Sequence, residues 1–95
     1  MSDSGARNDG TEASEAEQKR RQHFEKARRG VLEYLAASGG LLSLGDLHEF
    51  SEKTFFVGHQ KFSGLMEELV DGGLVSYDGS THQVRLEDEG RSFLA

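Results

Sequence analysis

The sequence predicts an α+β fold with a three-helix core, a C-terminal two-stranded β-hairpin and a short terminal helix. Two observations carry this prediction. Apolar residues recur at helical spacing in three successive segments, and residues 74–86 then alternate with a period of two around an Asp-Gly turn. The 95 residues suffice for one small domain. We therefore divide the chain into a disordered acidic tail, residues 1–14, and a single domain, residues 15–95.

The first predicted helix becomes recognisable at about Ala13 and ends at Ala37, before Ser38 and two glycines. Its apolar residues share one stripe at 100° per residue: Phe24, Ala27, Val31, Tyr34 and Leu35. Three acid-before-base pairs have the favourable i,i+4 spacing: Glu15–Lys19, Glu17–Arg21 and Glu25–Arg29. We expect these pairs to stabilise the helix by a few tenths of a kcal/mol each.

Two shorter helices follow an extended piece at Leu41 and Leu42. Ser43 is placed to cap the second helix, predicted over residues 44–51, with Asp46 near its free amide groups. Lys53 and Thr54 belong to the predicted connection. The third helix is predicted from about residue 58 to residue 71, and its buried stripe is Phe62, Leu65, Met66, Leu69 and Val70.

The run Phe55-Phe56-Val57 lies between the second and third helices. We expect at least two of these side chains to fill the core. Should Phe55 or Phe56 be exposed instead, it would mark a protein-binding patch.

The pattern after Gly72-Gly73 changes from helical to period-two spacing. Residues 74–77 and 82–86 flank Asp78-Gly79, a dipeptide typical of tight turns, and this predicts a β-hairpin. Residues 87–94 are predicted to close the chain as a short helix, with Phe93 and Leu94 available to dock on the core.

This order of elements resembles that of the winged-helix superfamily, a variant of helix-turn-helix. The resemblance covers residues 19–94 and is carried by residues 62–75, where the third helix ends in Gly-Leu-Val, and by residues 86–91 after the second strand. It implies binding to double-stranded DNA, with the third helix in the major groove and the hairpin, or wing, on the adjacent backbone or minor groove. A transcriptional regulator is the function that the resemblance implies.

Candidate DNA contacts follow from the polar face of the third helix and from the wing. They are His59, Gln60, Lys61, Ser63 and Gly64 in the helix, and His82 and Arg85 in the wing. Gln and Lys side chains read base edges, Ser binds a base or a phosphate, and a glycine lets the backbone approach closely. Arg21 and Arg28 of the first helix are placed to hold flanking phosphates or an acidic partner.

The charge is divided into three blocks that favour different partners. Residues 1–18 carry a net charge of −4, residues 19–29 carry +5 and residues 30–95 carry −7. The basic block suits DNA. The acidic residues Glu67, Glu68 and Asp71, and a wing tip without Lys or Arg, favour an alternative, namely a protein-interaction module that binds no DNA. A homodimer through the terminal helices, using Phe24, Val31 and Leu35, is a further expectation.

Several function classes are disfavoured by composition. The chain has no Cys, which excludes disulfides, a thiolate nucleophile and cysteine-bound zinc. Only Asp46, His48 and Glu49 lie close together among residues of metal-binding type, and they point to different helix faces, so we expect no metal and no cofactor. We also expect no catalytic activity and no membrane partner, and an intracellular, cytoplasmic location. His48 and His59 are expected at helix edges, partly buried.

Overall fold

A computed structural model describes residues 2–95, with side chains described from residue 15 onward. The elements in chain order are α1 (Ser2–Ala37), β1 (Leu41–Ser43), α2 (Leu44–Phe55), α3 (His59–Asp71), β2 (Val75–Asp78), β3 (Gln83–Leu86) and α4 (Asp88–Leu94). The predicted α+β class is confirmed, and the arrangement is compatible with a winged helix. The disordered tail predicted over residues 1–14 lies outside the side chains that the structure describes and stays a prediction.

The predicted hairpin is part of a three-stranded antiparallel sheet in the order β1-β3-β2. The short extended piece at Leu41 pairs with β3, opposite Arg85, and so adds the third strand. Because side chains alternate across a strand, Val84 and Leu86 are buried while Gln83 and Arg85 are exposed on the outer face.

The hydrophobic core lies between α1, α2, α3 and the inner face of the sheet. Its fully buried large side chains come from every layer: Leu32, Leu35, Leu47, Leu65, Leu69, Val31 and Val84. Val31 and Leu35, which the sequence also offered for a dimer surface, have no exposed area left for a partner. Phe24, at the edge of the core, is half-buried.

The second helix is longer than the predicted residues 44–51, because α2 continues to Phe55. Its last turn carries Lys53, whose Nζ lies 2.8 Å from Oε1 of Glu49, so polar residues that the sequence assigned to a connection extend the helix. The helix ends where Phe56 takes a left-handed conformation (φ 56°), and the Phe56 N–H donates to helix carbonyls. At the other end the predicted cap is confirmed, since the Asp46 N–H donates to Ser43 Oγ at 3.1 Å.

The apolar run after α2 divides between the core and the surface. Val57 is buried and Phe55 is half-buried with its ring against Phe50 at 5.9 Å between centroids. This confirms that two of the three side chains fill the core. Phe56 is 85% exposed, and an exposed phenylalanine at this position was expected to mark a protein-binding patch.

The three acid–base pairs predicted along α1 do not form. Among the side chains described from residue 15 onward, Arg29 pairs with Glu33 at 3.7 Å rather than with Glu25. Lys19 and Arg21 have no carboxylate of the described residues within ion-pair distance. The N-terminal part of α1 therefore presents exposed charges of both signs that no described side chain neutralises.

Candidate nucleic-acid interface

The N-terminal half of α3 presents a polar face to solvent. Phe62, Leu65, Met66 and Leu69 are buried, which anchors one side of the helix in the core. The opposite side is exposed and carries His59, Gln60, Lys61, Ser63 and Gly64. These five sequence-predicted site residues are therefore all accessible, but they divide between the two flanks of α3: Lys61 and Gly64 line one groove, and His59 and Ser63 line the other.

A groove of about 480 Å³ runs between the N-terminal part of α1 and α3. We call it the basic groove, and its lining residues are Lys19, Arg20, His23, Phe24, Ala27, Val57, Lys61, Gly64 and Leu65. Its floor is apolar, and the cations at its rim come from two helices far apart in sequence. Lys61 was predicted as a site residue. Lys19 and Arg20 belong to the basic block of residues 19–29, whose cations were expected to hold flanking phosphates or an acidic partner.

Arg28 and Arg21 of α1 do not line the basic groove that contains Lys61. Arg28 Nη1 is 3.4 Å from Glu68 Oε1, and the guanidinium carbon of Arg28 lies 5.1 Å from the centre of the Phe93 ring. Arg21 lines a shallow depression beside Arg28 and Glu68. Arg28 is thus engaged in packing α1 against α3 and α4, and its charge offsets that of Glu68.

A second groove, of about 510 Å³, lies on the other flank of α3. We call it the acidic groove, and its lining residues are Leu44, Gly45, His48, His59, Phe62, Ser63, Met66, Glu67, Val70, Asp71 and Tyr77. The carboxylates of Glu67 and Asp71 come from the C-terminal half of α3. The helix therefore separates a basic flank from an acidic one.

Two histidines meet in the acidic groove. The rings of His48 and His59 are 5.6 Å apart in an edge-to-face arrangement, and Nε2 of His48 is buried without a hydrogen-bond partner. His48 is half-buried as predicted, but the prediction was wrong for His59, which is exposed because it begins α3 at the surface. No third metal-ligating side chain of the described residues joins them in a cluster.

The two wing residues proposed for DNA contact diverge. His82 lies beside Tyr77, whose hydroxyl is 2.9 Å from Nδ1 of His82. Tyr77 shares the inner face of the sheet with buried Val84 and lines the acidic groove. Arg85 is exposed on the outer face, across the sheet from α3. The structure therefore does not bring Arg85 together with Lys61.

The tip of the wing is closed by its own hydrogen bonds. Oδ1 of Asp78 accepts from the Ser80 N–H at 2.9 Å and from the Ser80 hydroxyl at 2.6 Å. These bonds, the hydroxyl first, stabilise the carboxylate and lower the pKa of Asp78. The tip is therefore anionic at neutral pH and repels phosphate.

Comparison with known proteins adds no family to this geometry. No family model, curated protein or solved structure matches the chain. Within residues 2–95, no helix has the length and apolarity that crossing a membrane requires.

Proposed function

We propose that the protein binds double-stranded DNA through the N-terminal half of α3 and the basic rim of α1. The observation that carries this proposal is the convergence of Lys19, Arg20 and Lys61 on one groove, beside the exposed Gly64. Cations from two helices at one edge supply the phosphate contacts that account for most nonspecific DNA affinity.

The division of α3 into two halves fits insertion by its N-terminal end. Gln60 and Lys61 face solvent in the first half and have the chemistry to read base edges, whereas Glu67 and Asp71 lie in the second half. Helix-turn-helix proteins contact bases with the N-terminal residues of the recognition helix. The acidic half then stays outside the major groove, and the outward-facing Arg85 takes no part. Regulation of transcription is the role that we infer for such a small DNA-binding domain.

The proposal is tested by fluorescence anisotropy with a mixed-sequence duplex, comparing Lys61→Gln with Lys53→Gln. Both variants remove one positive charge from an exposed helix, but Lys53 lies on α2 and pairs with Glu49. We expect Lys61→Gln to weaken binding and to reduce the salt dependence by about one phosphate contact, with Lys53→Gln close to wild type. Equal effects of the two variants would count against the proposed surface.

A protein-binding role is the second candidate, and exposed Phe56 favours it. A large apolar side chain at a strained, solvent-exposed position contributes little to the core and suits a partner pocket. In that case Phe56→Ala removes a partner from complexes isolated from cells, whereas Lys61→Gln leaves the complex intact. The reverse pattern, with salt-sensitive DNA binding, supports the first proposal.

A further inference from the structure

The acidic groove follows one flank of α3 from end to end. The residues that α3 contributes recur at spacings of three and four, which places them on one stripe of the helix: His59, Phe62, Ser63, Met66, Glu67, Val70 and Asp71. From the first of these residues to the last, the helix rises about 18 Å. The groove is therefore long enough to receive about three turns of a second helix.

Apolar side chains of the acidic groove remain open to solvent. Phe62 and Met66 are buried and form its floor, whereas Val70 and Tyr77 are each 40% exposed. The Tyr77 hydroxyl lies 2.9 Å from Nδ1 of His82, and this contact holds the ring in place beside α3. Exposed apolar side chains that adjoin one another and are bordered by polar residues mark interaction sites. The groove therefore has a preformed apolar surface for a partner.

The formal charges of the acidic groove have one sign. Its lining, taken from the side chains described from residue 15 onward, contains the carboxylates of Glu67 and Asp71 and no Lys or Arg. Neither carboxylate has an ion-pair partner among those side chains. Since the two residues are four positions apart on α3, their side chains lie one helical turn apart. Such a border repels nucleic-acid phosphates and attracts a partner that carries cations at a matching separation.

We propose that the acidic groove binds a cationic amphipathic helix of a partner protein. The apolar face of this helix packs on Val70 and Tyr77, in the manner of a helix bound in a groove. Its Lys or Arg side chains, one turn apart, pair with Glu67 and Asp71. A peptide suits the groove better than a small molecule does, because small ligands bind in concave pockets that bury most of their surface and this groove is open along α3.

The peptide site does not rest on the proposed function. The acidic groove and the basic groove lie on opposite flanks of α3 and have no lining residue in common. A substitution in the acidic groove can therefore change peptide binding while leaving Lys19, Arg20 and Lys61 in place for DNA. Peptide affinity and DNA affinity are accordingly measured on the same variants.

The cationic part of the proposal is tested by fluorescence anisotropy with the full chain at ~150 mM salt, where weak long-range attraction is screened. The probe is a fluorescein-labelled helical peptide of about 14 residues, with leucines on one face and lysines beside them. The control peptide carries Glu in place of Lys and should not bind. We expect Glu67→Lys to weaken binding of the lysine peptide at least about fivefold, because an attractive contact becomes repulsive. Glu52→Lys makes the same charge change on an exposed α2 residue outside both grooves and should behave as wild type.

The apolar part is tested with Val70→Thr, which replaces one methyl group by a hydroxyl at nearly constant shape. We expect this variant to weaken binding about two- to fourfold, because less apolar surface is buried in the complex. Leu41→Thr is the control, since Leu41 is exposed to a similar extent on β1 and lies outside the groove. Thermal unfolding of each variant verifies that it is folded. Amide resonances of an isotope-labelled chain should shift along α3 and at Tyr77 when the peptide is added.

Absence of binding, or equal losses for Glu67→Lys and Glu52→Lys, overturns the proposal, because the peptide then follows only the net charge of the chain. Binding that Val70→Thr weakens and Glu67→Lys leaves unchanged assigns an uncharged apolar ligand and also overturns it. A wild type that self-associates in sedimentation, with Val70→Thr monomeric, assigns the groove to a second copy instead. If the peptide binds as described but no variant binds a DNA duplex, the proposed function fails and the peptide site stands.

Discussion

Arg28 on α1 places its Nη1 atom 3.4 Å from Oε1 of Glu68 on α3. The contact joins two residues 40 positions apart in sequence and neutralises one of the three carboxylates in the C-terminal half of α3. The Arg28 side chain is only 24% exposed and also covers the Phe93 ring of α4. A residue predicted to contact phosphate is therefore engaged in packing α1 against α3 and α4.

Arg28→Ala should destabilise the fold more than Glu68→Gln. The alanine substitution removes the packing of the aliphatic stem and the contact with Phe93 as well as the ion pair. We expect it to lower the free energy of unfolding by about 1–2 kcal/mol. Glu68→Gln removes only a half-exposed charge, at a cost within about 0.5 kcal/mol. Urea unfolding measures both values, and equal losses would show that the ion pair dominates.

Gly64→Ala should stabilise the protein and weaken DNA binding. The position is inside α3, and an added Cβ would meet nothing within 4 Å, so the helix gains about 0.5–1 kcal/mol. The added methyl group would keep a DNA backbone from approaching the helix. Gly45→Ala on α2 is also unobstructed and serves as the control for stability. An unchanged DNA affinity of Gly64→Ala would rule out close approach at this point of the helix.

Phe56→Gly should stabilise the fold by about 1–2 kcal/mol. Phe56 has φ 56°, a conformation that costs an L-residue roughly this amount and costs glycine almost nothing. Since the ring is 85% exposed, its loss removes little burial. Phe56→Ala retains the strain and should remain close to wild type in thermal unfolding. A glycine variant no more stable than the alanine variant would show that the left-handed conformation of Phe56 does not destabilise the fold.

The wing turn should lose stability at acid pH because of Asp78. Its folded-state pKa is lowered from the ordinary value of 3.8, so the carboxylate stabilises the turn above that pH and the contribution is lost as pH falls through the lowered pKa. Unfolding measured from ~pH 6 to ~pH 2 should show a steeper acid loss for wild type than for Asp78→Asn. Identical pH profiles would contradict a stabilising role for the ionised group.

The order and type of the elements were predictable because their signals are local. The α3 stripe and the Asp78-Gly79 turn are read from a dozen residues each. Both match the structure except at Val70, which was predicted to be buried and is 40% exposed. The end of α2 was missed because a left-handed Phe56 replaces the glycine that normally marks such a stop. The pairing of Leu41 with β3 was missed because a three-residue strand has too short a pattern to reveal a partner.

The candidate site was predictable only in part. The exposed face of α3 follows from helical periodicity. The outward direction of Arg85 was also predictable from the sequence, since alternation with Val84 and Leu86 turns it away from the core and from α3. The meeting of Lys61 with Lys19 depends on how α1 is rotated against α3, and that rotation follows from long-range packing of the two helices in the core. No local pattern encodes that rotation.

The most direct test of DNA binding is the salt dependence of wild-type affinity for a mixed-sequence duplex, measured by fluorescence anisotropy at ~50 and ~200 mM salt. Three cations at the basic groove predict a logarithmic slope of about −2 to −4 and a loss of affinity of at least about tenfold between these concentrations. Absence of binding at the lower concentration, or binding that salt does not change, would contradict the proposed function and leave a protein partner as the alternative.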